Sequence, residues 1–284
     1  YDIRNARYNG YRVLTNTPPC GAFRGHGTVN VRFAFESLMD DMSNRLGLDP
    51  FEVRRKNLLK TPTFTANDLM VNSYGLPECL DIVEKVSGWK TRKKKLAPFR
   101  GLGVACSHYV SGASKPVNWT GEPHATVNIK LDFDGSLTIL TRAPEIGQGS
   151  STILTQCVAE VLGLDVTRIR IVTSDSLVTP KDNGAYSSRV TYMVGNAAID
   201  AATNLKSILV EAAARKMDVQ PEDVECLGEV YRAGSQDHGL TFEEVVYAAL
   251  EGTGTITARG NFDTIPESWG GDKYRGAAIG GSMA

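Results

Sequence analysis

ATVNIKLDFDGSLTILTRAPEIGQGSSTILTQCVAEVLG, residues 125–163, changes its hydrophobic period within a single stretch. Val127, Ile129, Leu131 and Phe133 alternate with other residues, the two-residue period of a strand with one buried face. Asp134-Gly135 then supplies a hairpin turn, and SLTILTR returns as the partner strand. From Ile153 the apolar residues move to helical spacing through Leu154, Cys157, Val158 and Val161. Between strand and helix lies EIGQGSST, a loop with almost nothing to bury.

The pattern extends outward in both directions. TVNVRFAFESLMDDMSNRLG predicts a helix, with the apolar residues Val31, Phe35, Leu38, Met39 and Met42 at helical spacing and Gly47 at its end. Asp49-Pro50 opens a second helix, and GLPECLDIVEKVSG (75–88) a third. YRVLT (11–15) and GLGVACSHYV (101–110) read as strands. Downstream come a strand (RIRIVTSD), a polar loop (175–188), a long alanine-rich helix starting near Thr191, and a closing strand, helix and strand. No regular βαβ repeat exists, so the expected fold class is α+β, mixed sheets with packed helices. The polar connection KTRKKKLAPFRG (90–101) divides the chain into a first region, 1–100, and a second, 101–284.

The chain of 284 residues is 42% hydrophobic and 22% charged, enough for one large core or two smaller ones. A net charge of -1 removes the electrostatic case for a nucleic-acid partner. No apolar run reaches the ~18 residues that a membrane span needs. Five scattered cysteines contain no C-x-x-C pair, which argues against a zinc or iron–sulfur site and fits a reducing, cytoplasmic compartment. The chain starts at Tyr1 and ends in AAIGGSMA in mid-pattern, so the expectation is a piece of a longer protein.

Three stretches share one design, a bare polar loop running into a helix: CGAFRGHGT (20–28), EIGQGSST (145–152) and DNGAYSSRVT (182–191). Helix N-termini offer unpaired N–H groups and a partial positive charge, and glycines let an anion reach them. Arg24 adds a planar fork of donors. Ser150, Ser151, Thr152, Ser187 and Ser188 also fit the plainer role of helix N-caps. Three such loops together favour an extended ligand with anionic groups. No P-loop, G-x-G-x-x-G or nucleophile elbow is present. The residues alone lead to a large cofactor bound by loops.

AFRGHG resembles the AFRGFG signature of the molybdenum hydroxylases, the xanthine oxidase family. EIGQGSST resembles that family's E-x-GQG loop, and TPKDNGAYSSR its third cofactor segment. The longer strings NTPPCGAFRGHGTV, SHYVSGASKPVNWTGEPHATVNIKLDFDG and TPKDNGAYSSRVTYMVGNA resemble the 4-hydroxybenzoyl-CoA reductase branch. The resemblance implies a molybdenum–molybdopterin cytosine dinucleotide contacted by Phe23, Arg24 and Gly25, by Gly147, Gln148, Gly149 and Ser150, and by Gly184, Ser187 and Ser188. It implies a molybdenum held by the pterin dithiolene, with no protein metal ligand. His26 stands where the family usually has a phenylalanine, and an imidazole there can hydrogen-bond or protonate a phenolic ring. His108 and Tyr109 fall near the family's substrate-pocket strand. Arg189 reads either as a pyrophosphate partner or as a surface arginine.

The family's base glutamate is expected beyond Ala284. Glu122, in WTGEPH, sits in a similar string but precedes an alternating strand, so it is not expected to be that base. The resemblance also implies an iron–sulfur subunit with [2Fe–2S] centres and a flavin subunit with FAD in a hetero-oligomer, and no activity from this stretch alone. The implied reaction is reductive dehydroxylation of an aromatic acyl-CoA, 4-hydroxybenzoyl-CoA. The alternatives are an oxidative hydroxylase of another aromatic, heterocycle or aldehyde, and a non-catalytic phosphate-ligand or assembly module.

Overall fold

The computed structural model describes residues 1–19, 21, 25, 27–66, 70–111, 122–234, 239–263 and 280–283, with backbone alone at 70, 109–111 and 280–283. The chain forms two compact units, Tyr1–Ser111 with Ile265–Ala284, and Gly112–Thr264. Helices and mixed sheets make the fold α+β.

In the first unit, α1 (Thr28–Leu46) ends at Gly47 in the left-handed conformation, as the sequence predicts. α2 (Pro50–Lys56) is capped by Asp49, whose Oδ1 accepts the Phe51 N–H at 2.8 Å. The other oxygen of Asp49 accepts the Trp89 indole N–H at 2.8 Å, so one carboxylate both starts a helix and fixes a core ring. Phe51 and Trp89 meet edge to face, with Leu76 and Leu80 of α3 (Leu76–Ser87) and Cys106 around them. α4 (Trp89–Arg92) follows directly. Two short pairs complete the unit: β1 (Thr63–Phe64) with β2 (Met70–Val71), and β3 (His108–Ser111) with the strand Gly280–Met283.

Two sequence expectations need correction here. Residues 11–15 form no strand and are exposed, because a short β-rich run holds only against a partner strand and none lies beside it among the described residues. In 101–110 only the end, from His108, is strand. The apolar stripe of α1 is only partly its inner face: Met39 is buried and Phe35 packs on Tyr1, but the rest is not. Val31, Leu38 and Met42 are exposed, while Glu36, Met39 and Ser43 are buried. A buried guanidinium decides this. Arg54 donates from Nε to Glu36 at 2.8 Å and pairs with Asp40 at 2.9 Å, and Glu36 also accepts from the Tyr1 hydroxyl and the Cys106 N–H. A buried cation without its carboxylate is very costly, so the acidic side of α1 turns inward.

The second unit is built on a four-stranded sheet whose strands lie in the order Ile256–Phe262, Ala125–Leu131, Leu137–Thr141, Ile169–Thr173. β4 (Ala125–Leu131) and β5 (Leu137–Thr141) form the expected hairpin, with Ile129 opposite Ile139 and Gly135 at positive φ in the turn. Val127, Ile129 and Leu131 are fully buried; Phe133 lies past the strand end and packs on Tyr247 instead. β6 (Ile169–Thr173) runs parallel to β5, with α5 (Ser150–Leu162) as the crossover. A single turn of π-helix, Val190–Val194, leads into α6 (Gly195–Met217). β7 (Val224–Leu227), β8 (Val230–Ala233) and β9 (Leu240–Thr241) make a small sheet beside α7 (Phe242–Leu250), and β10 (Ile256–Phe262) closes the main sheet.

α6 lies flat on that sheet. Ala197, Ala198, Ala201 and Ala202 are fully buried, and a Cβ placed on Gly260 of β10 would sit 2.1 Å from the Ala201 nitrogen and 2.2 Å from the Ala197 oxygen. Only glycine permits that approach. β10 is an edge strand, and α6 side chains occupy its outer backbone groups: Asn204 donates to the Arg259 carbonyl and Asp200 accepts from the Asn261 N–H.

Candidate functional site

β5 and β6 are the parallel pair of the sheet, and their C-terminal ends lie side by side: Thr141 is opposite Thr173, and the Ser174 N–H reaches the Thr141 carbonyl at 3.1 Å. Two of the three sequence-predicted loops, 145–152 and 182–191, follow from these strand ends. The C-terminal edge of parallel strands, with a helix N-terminus beside it, is where open sheets place their ligands.

In the first of these loops the chain fills its own anion site. Glu145 Oε1 accepts the N–H groups of Gly147 at 2.8 Å and Gly149 at 3.0 Å, and Oε2 accepts that of Ser151 at 3.0 Å, with the Ser150 hydroxyl at 3.3 Å. Bonds to the charged form lower the Glu145 pKa to about 2, those from the backbone of Ser151 and Gly149 foremost. The N-cap of α5 is Gly149, so neither Ser150 nor Ser151 is the capping side chain; the carboxylate of Glu145 takes that role. The Gln148 amide is also turned inward. It donates to the Pro144 carbonyl and the Ser150 hydroxyl and accepts from the Ile146 N–H. Ile146 projects into solvent, and beside it the loop exposes glycine backbone. Gly147 and Gly149 have positive φ, and a Cβ on either would meet nothing within 4 Å. That leaves two uncrowded glycine positions on the loop surface.

The second loop is tied down by Arg189, whose side chain is 1% exposed. Its Nη1 bonds Asp182 at 2.8 Å and the Gly184 carbonyl at 3.0 Å, its Nη2 bonds the His124 carbonyl, and its Nε faces the Met193 sulfur at 3.3 Å. Both earlier alternatives for Arg189 are therefore corrected: it is neither a surface residue nor a fork free for a pyrophosphate, because four of its donors are already engaged. Asp182 also accepts the Gly184 N–H at 2.8 Å, which forms a tight Asx turn with Gly184 at positive φ. Ser187 and Ser188 both adopt left-handed backbone, at φ 55° and 52°. They are not helix caps; Arg189 is the N-cap of the π-helical turn. Two successive left-handed serines are uncommon and mark a constrained turn.

In the first unit, Phe23, Arg24 and His26 lie outside the described residues, as does the side chain of Tyr109. Gly25 is described. At φ +95° its carbonyl accepts the Thr28 N–H and hydroxyl, and a Cβ there would strike Val29 at 2.4 Å, so it shapes the start of α1. His108 is brought to that helix: Arg32 Nη2 lies 3.1 Å from its Nδ1 and 3.2 Å from its carbonyl. Partial desolvation, then the charge of Arg32, lowers the His108 pKa. Beside them runs a groove of about 500 Å³ lined by Thr28, Val29, Arg32, Phe33 and Gly103–Ala105 among others. Glu122, in the second unit, pairs with Lys181 on the surface.

Sequence reasoning missed Glu145, Asp182 and Arg32. The first two had signals. A carboxylate two residues before a glycine at the foot of a helix can take N–H groups ahead of it, and Asp-Asn-Gly is an Asx-turn string. Arg32, in mid-helix, had none.

Two family models described as molybdopterin cofactor-binding domain match the chain, one over residues 82–283 and one over residues 1–58. The chain is 38% identical over 216 residues to the xanthine dehydrogenase molybdenum-binding subunit of Escherichia coli O157:H7, covering 73% of this chain and 28% of that protein. It is 31% identical over 235 residues to the nicotine 6-hydroxylase large subunit of Paenarthrobacter nicotinovorans, covering 79% of this chain and 29% of that one. It thus spans under a third of the length of these relatives. Among solved structures, quinoline 2-oxidoreductase from Pseudomonas putida 86 superposes with a TM-score of 0.70 at 25% identity, over 86% of this chain and 34% of that one. With bare loops gathered at one sheet edge and a cofactor-domain match across most of its length, this chain belongs to the molybdopterin cofactor-binding domain family, among the molybdenum-binding subunits of the xanthine oxidase family.

Proposed function

We propose that this chain forms part of the cofactor site of a molybdenum oxidoreductase that removes the ring hydroxyl of 4-hydroxybenzoyl-CoA. The observation that carries the cofactor reading is the pair of constrained loops, each with two or more left-handed residues, at the C-terminal edge of β5 and β6. Residues 1–100 and 101–284 would belong to two molybdopterin-binding regions. The cofactor would be the cytosine dinucleotide form, whose molybdenum–dithiolene group supplies two-electron redox chemistry when bound.

This chain's residues position and protonate. The open peptide surface at Gly147–Gly149 receives a flat polar edge, and Gly184, Ser187 and Ser188 supply a second fixed surface. By resemblance, Phe23, Arg24 and Gly25 would also contact the cofactor. His26, in place of the family's usual phenylalanine, would give a proton to the ring oxygen as its bond to carbon breaks. His108, its pKa lowered beside Arg32, stays a neutral acceptor near neutral pH, and with Tyr109 it would line the substrate pocket. Two electrons and two protons convert the substrate to benzoyl-CoA and water. The electrons would come from [2Fe–2S] centres and FAD on iron–sulfur and flavin subunits.

A second reading is oxidative hydroxylation, favoured by relatives named for xanthine and nicotine. The test is elemental analysis and mild acid treatment of the purified native complex, followed by assays with each substrate. About one molybdenum per chain, released CMP and benzoyl-CoA formation from 4-hydroxybenzoyl-CoA with a reduced donor support the proposal. Turnover only of heterocycles or aldehydes supports the second reading. Absence of both molybdenum and nucleotide leaves a non-catalytic binding module.

A further inference from the structure

We propose that Glu145 is the positioning residue of the 145–151 loop: its carboxylate permanently fills the N-terminal anion site of α5, so that this loop meets the cofactor through neutral backbone and not through a phosphate. The inference rests on the molybdopterin reading above, and it changes what that reading asks of the loop.

The geometry leaves little room for another arrangement. Three backbone N–H groups and one hydroxyl converge on a single side chain, which is the donor set that a bound phosphate would otherwise attract. The Glu145 carboxylate stays ionised far below neutral pH, so the site is filled under all ordinary conditions. Gln148 adds a second internal clamp, spanning the Pro144 carbonyl, the Ile146 N–H and the Ser150 hydroxyl. An incoming pyrophosphate would have to displace Glu145 against like charge. A neutral donor and acceptor edge meets no such opposition at Gly147 and Gly149, which carry no side chain and have open space where a Cβ would sit. The loop is therefore shaped in advance, and the anionic part of a dinucleotide must be held elsewhere in the protein.

The test uses the native holo complex carrying Glu145→Gln or Glu145→Ala. Gln keeps the volume but loses the charge and sets an NH2 group against the converging N–H groups. Hydrogen exchange at the amides of Gly147, Gly149 and Ser151 should quicken by about tenfold or more, the scale of losing charge-assisted bonds. Molybdenum should leave both variants faster than the parent during dialysis, and the Mo(V) paramagnetic spectrum should broaden or shift. Sodium formate, a small carboxylate that fits the emptied nest, should restore slow exchange, retention and spectrum in Glu145→Ala. Parent-like retention and spectrum in both variants, with or without faster exchange, would overturn the positioning role. If Glu145→Ala does not fold, Glu145→Gln alone decides by exchange, retention and spectrum. A parent complex without molybdenum would instead overturn the cofactor reading, and this proposal with it.

Discussion

Replacing Arg189 with methionine tests the anchor of the 182–189 loop most directly. Methionine fills similar space and keeps the apolar contacts, but it removes every polar bond of the guanidinium. Asp182, whose side chain is fully buried, then keeps only the Gly184 N–H, since its Oδ2 finds no donor among the described residues. The carbonyls of His124 and Gly184 lose their side-chain donor at the same time. Breaking a buried pair from one side costs about 3–5 kcal/mol. The unit affected, Gly112–Thr264, has a size at which each kcal/mol shifts the midpoint by roughly 2–4 °C. The expected fall in its melting temperature is therefore roughly 6–20 °C, read by calorimetry at neutral pH. Adding Asp182→Asn should recover more than about 1 kcal/mol, because the stranded charge is then gone. A loss under about 1 kcal/mol in the single variant, or simple additivity in the double, would refute the claim that this pair holds the loop.

Gly260→Ala should destabilise the second unit by about 1–3 kcal/mol or more in urea titration, since the new methyl meets two backbone atoms of α6 that cannot rotate away. Glu145 carries a pKa depressed from 4.5 to about 2, so its contribution is complete above pH 4.5 and is lost as pH falls toward 2. Amide exchange at Gly147, Gly149 and Ser151 should accelerate across that window after correction for intrinsic rates, and Glu145→Gln should abolish the change. Arg24→Ala should lose molybdenum or activity while the subunit stays folded; full metal content with unchanged turnover would sink the assignment of that loop.

The sheet of the second unit was legible because its residues obey a local period. Val127, Ile129 and Leu131 alternate, Asp134-Gly135 turns, and the chain has no better use for either. The place of two loops followed from the same strands. What stayed hidden depended on partners distant in sequence. Arg54 reaches back 18 residues to Glu36 and so rotates α1 away from its apolar stripe. Arg189 is drawn inward by Asp182 and by the His124 carbonyl 65 residues earlier, so its exposure could not be read from its neighbours. Glu145 hides for a different reason: glycines and serines that could receive an anion surround it, and the anion they receive is in the same string.

The contact between Gly260 and α6 also sets how this protein can vary. A helix seated directly on strand backbone has no compressible layer beneath it, and its first turns carry alanines that cannot grow. The π-helical turn and the 182–189 loop are continuous with that helix, so they inherit its fixed height above the sheet. Sequence drift can repaint the side chains at the rim of the loop but cannot raise or lower the loop itself. Relatives that share this joint should differ in what the rim recognises while keeping the same depth of seat.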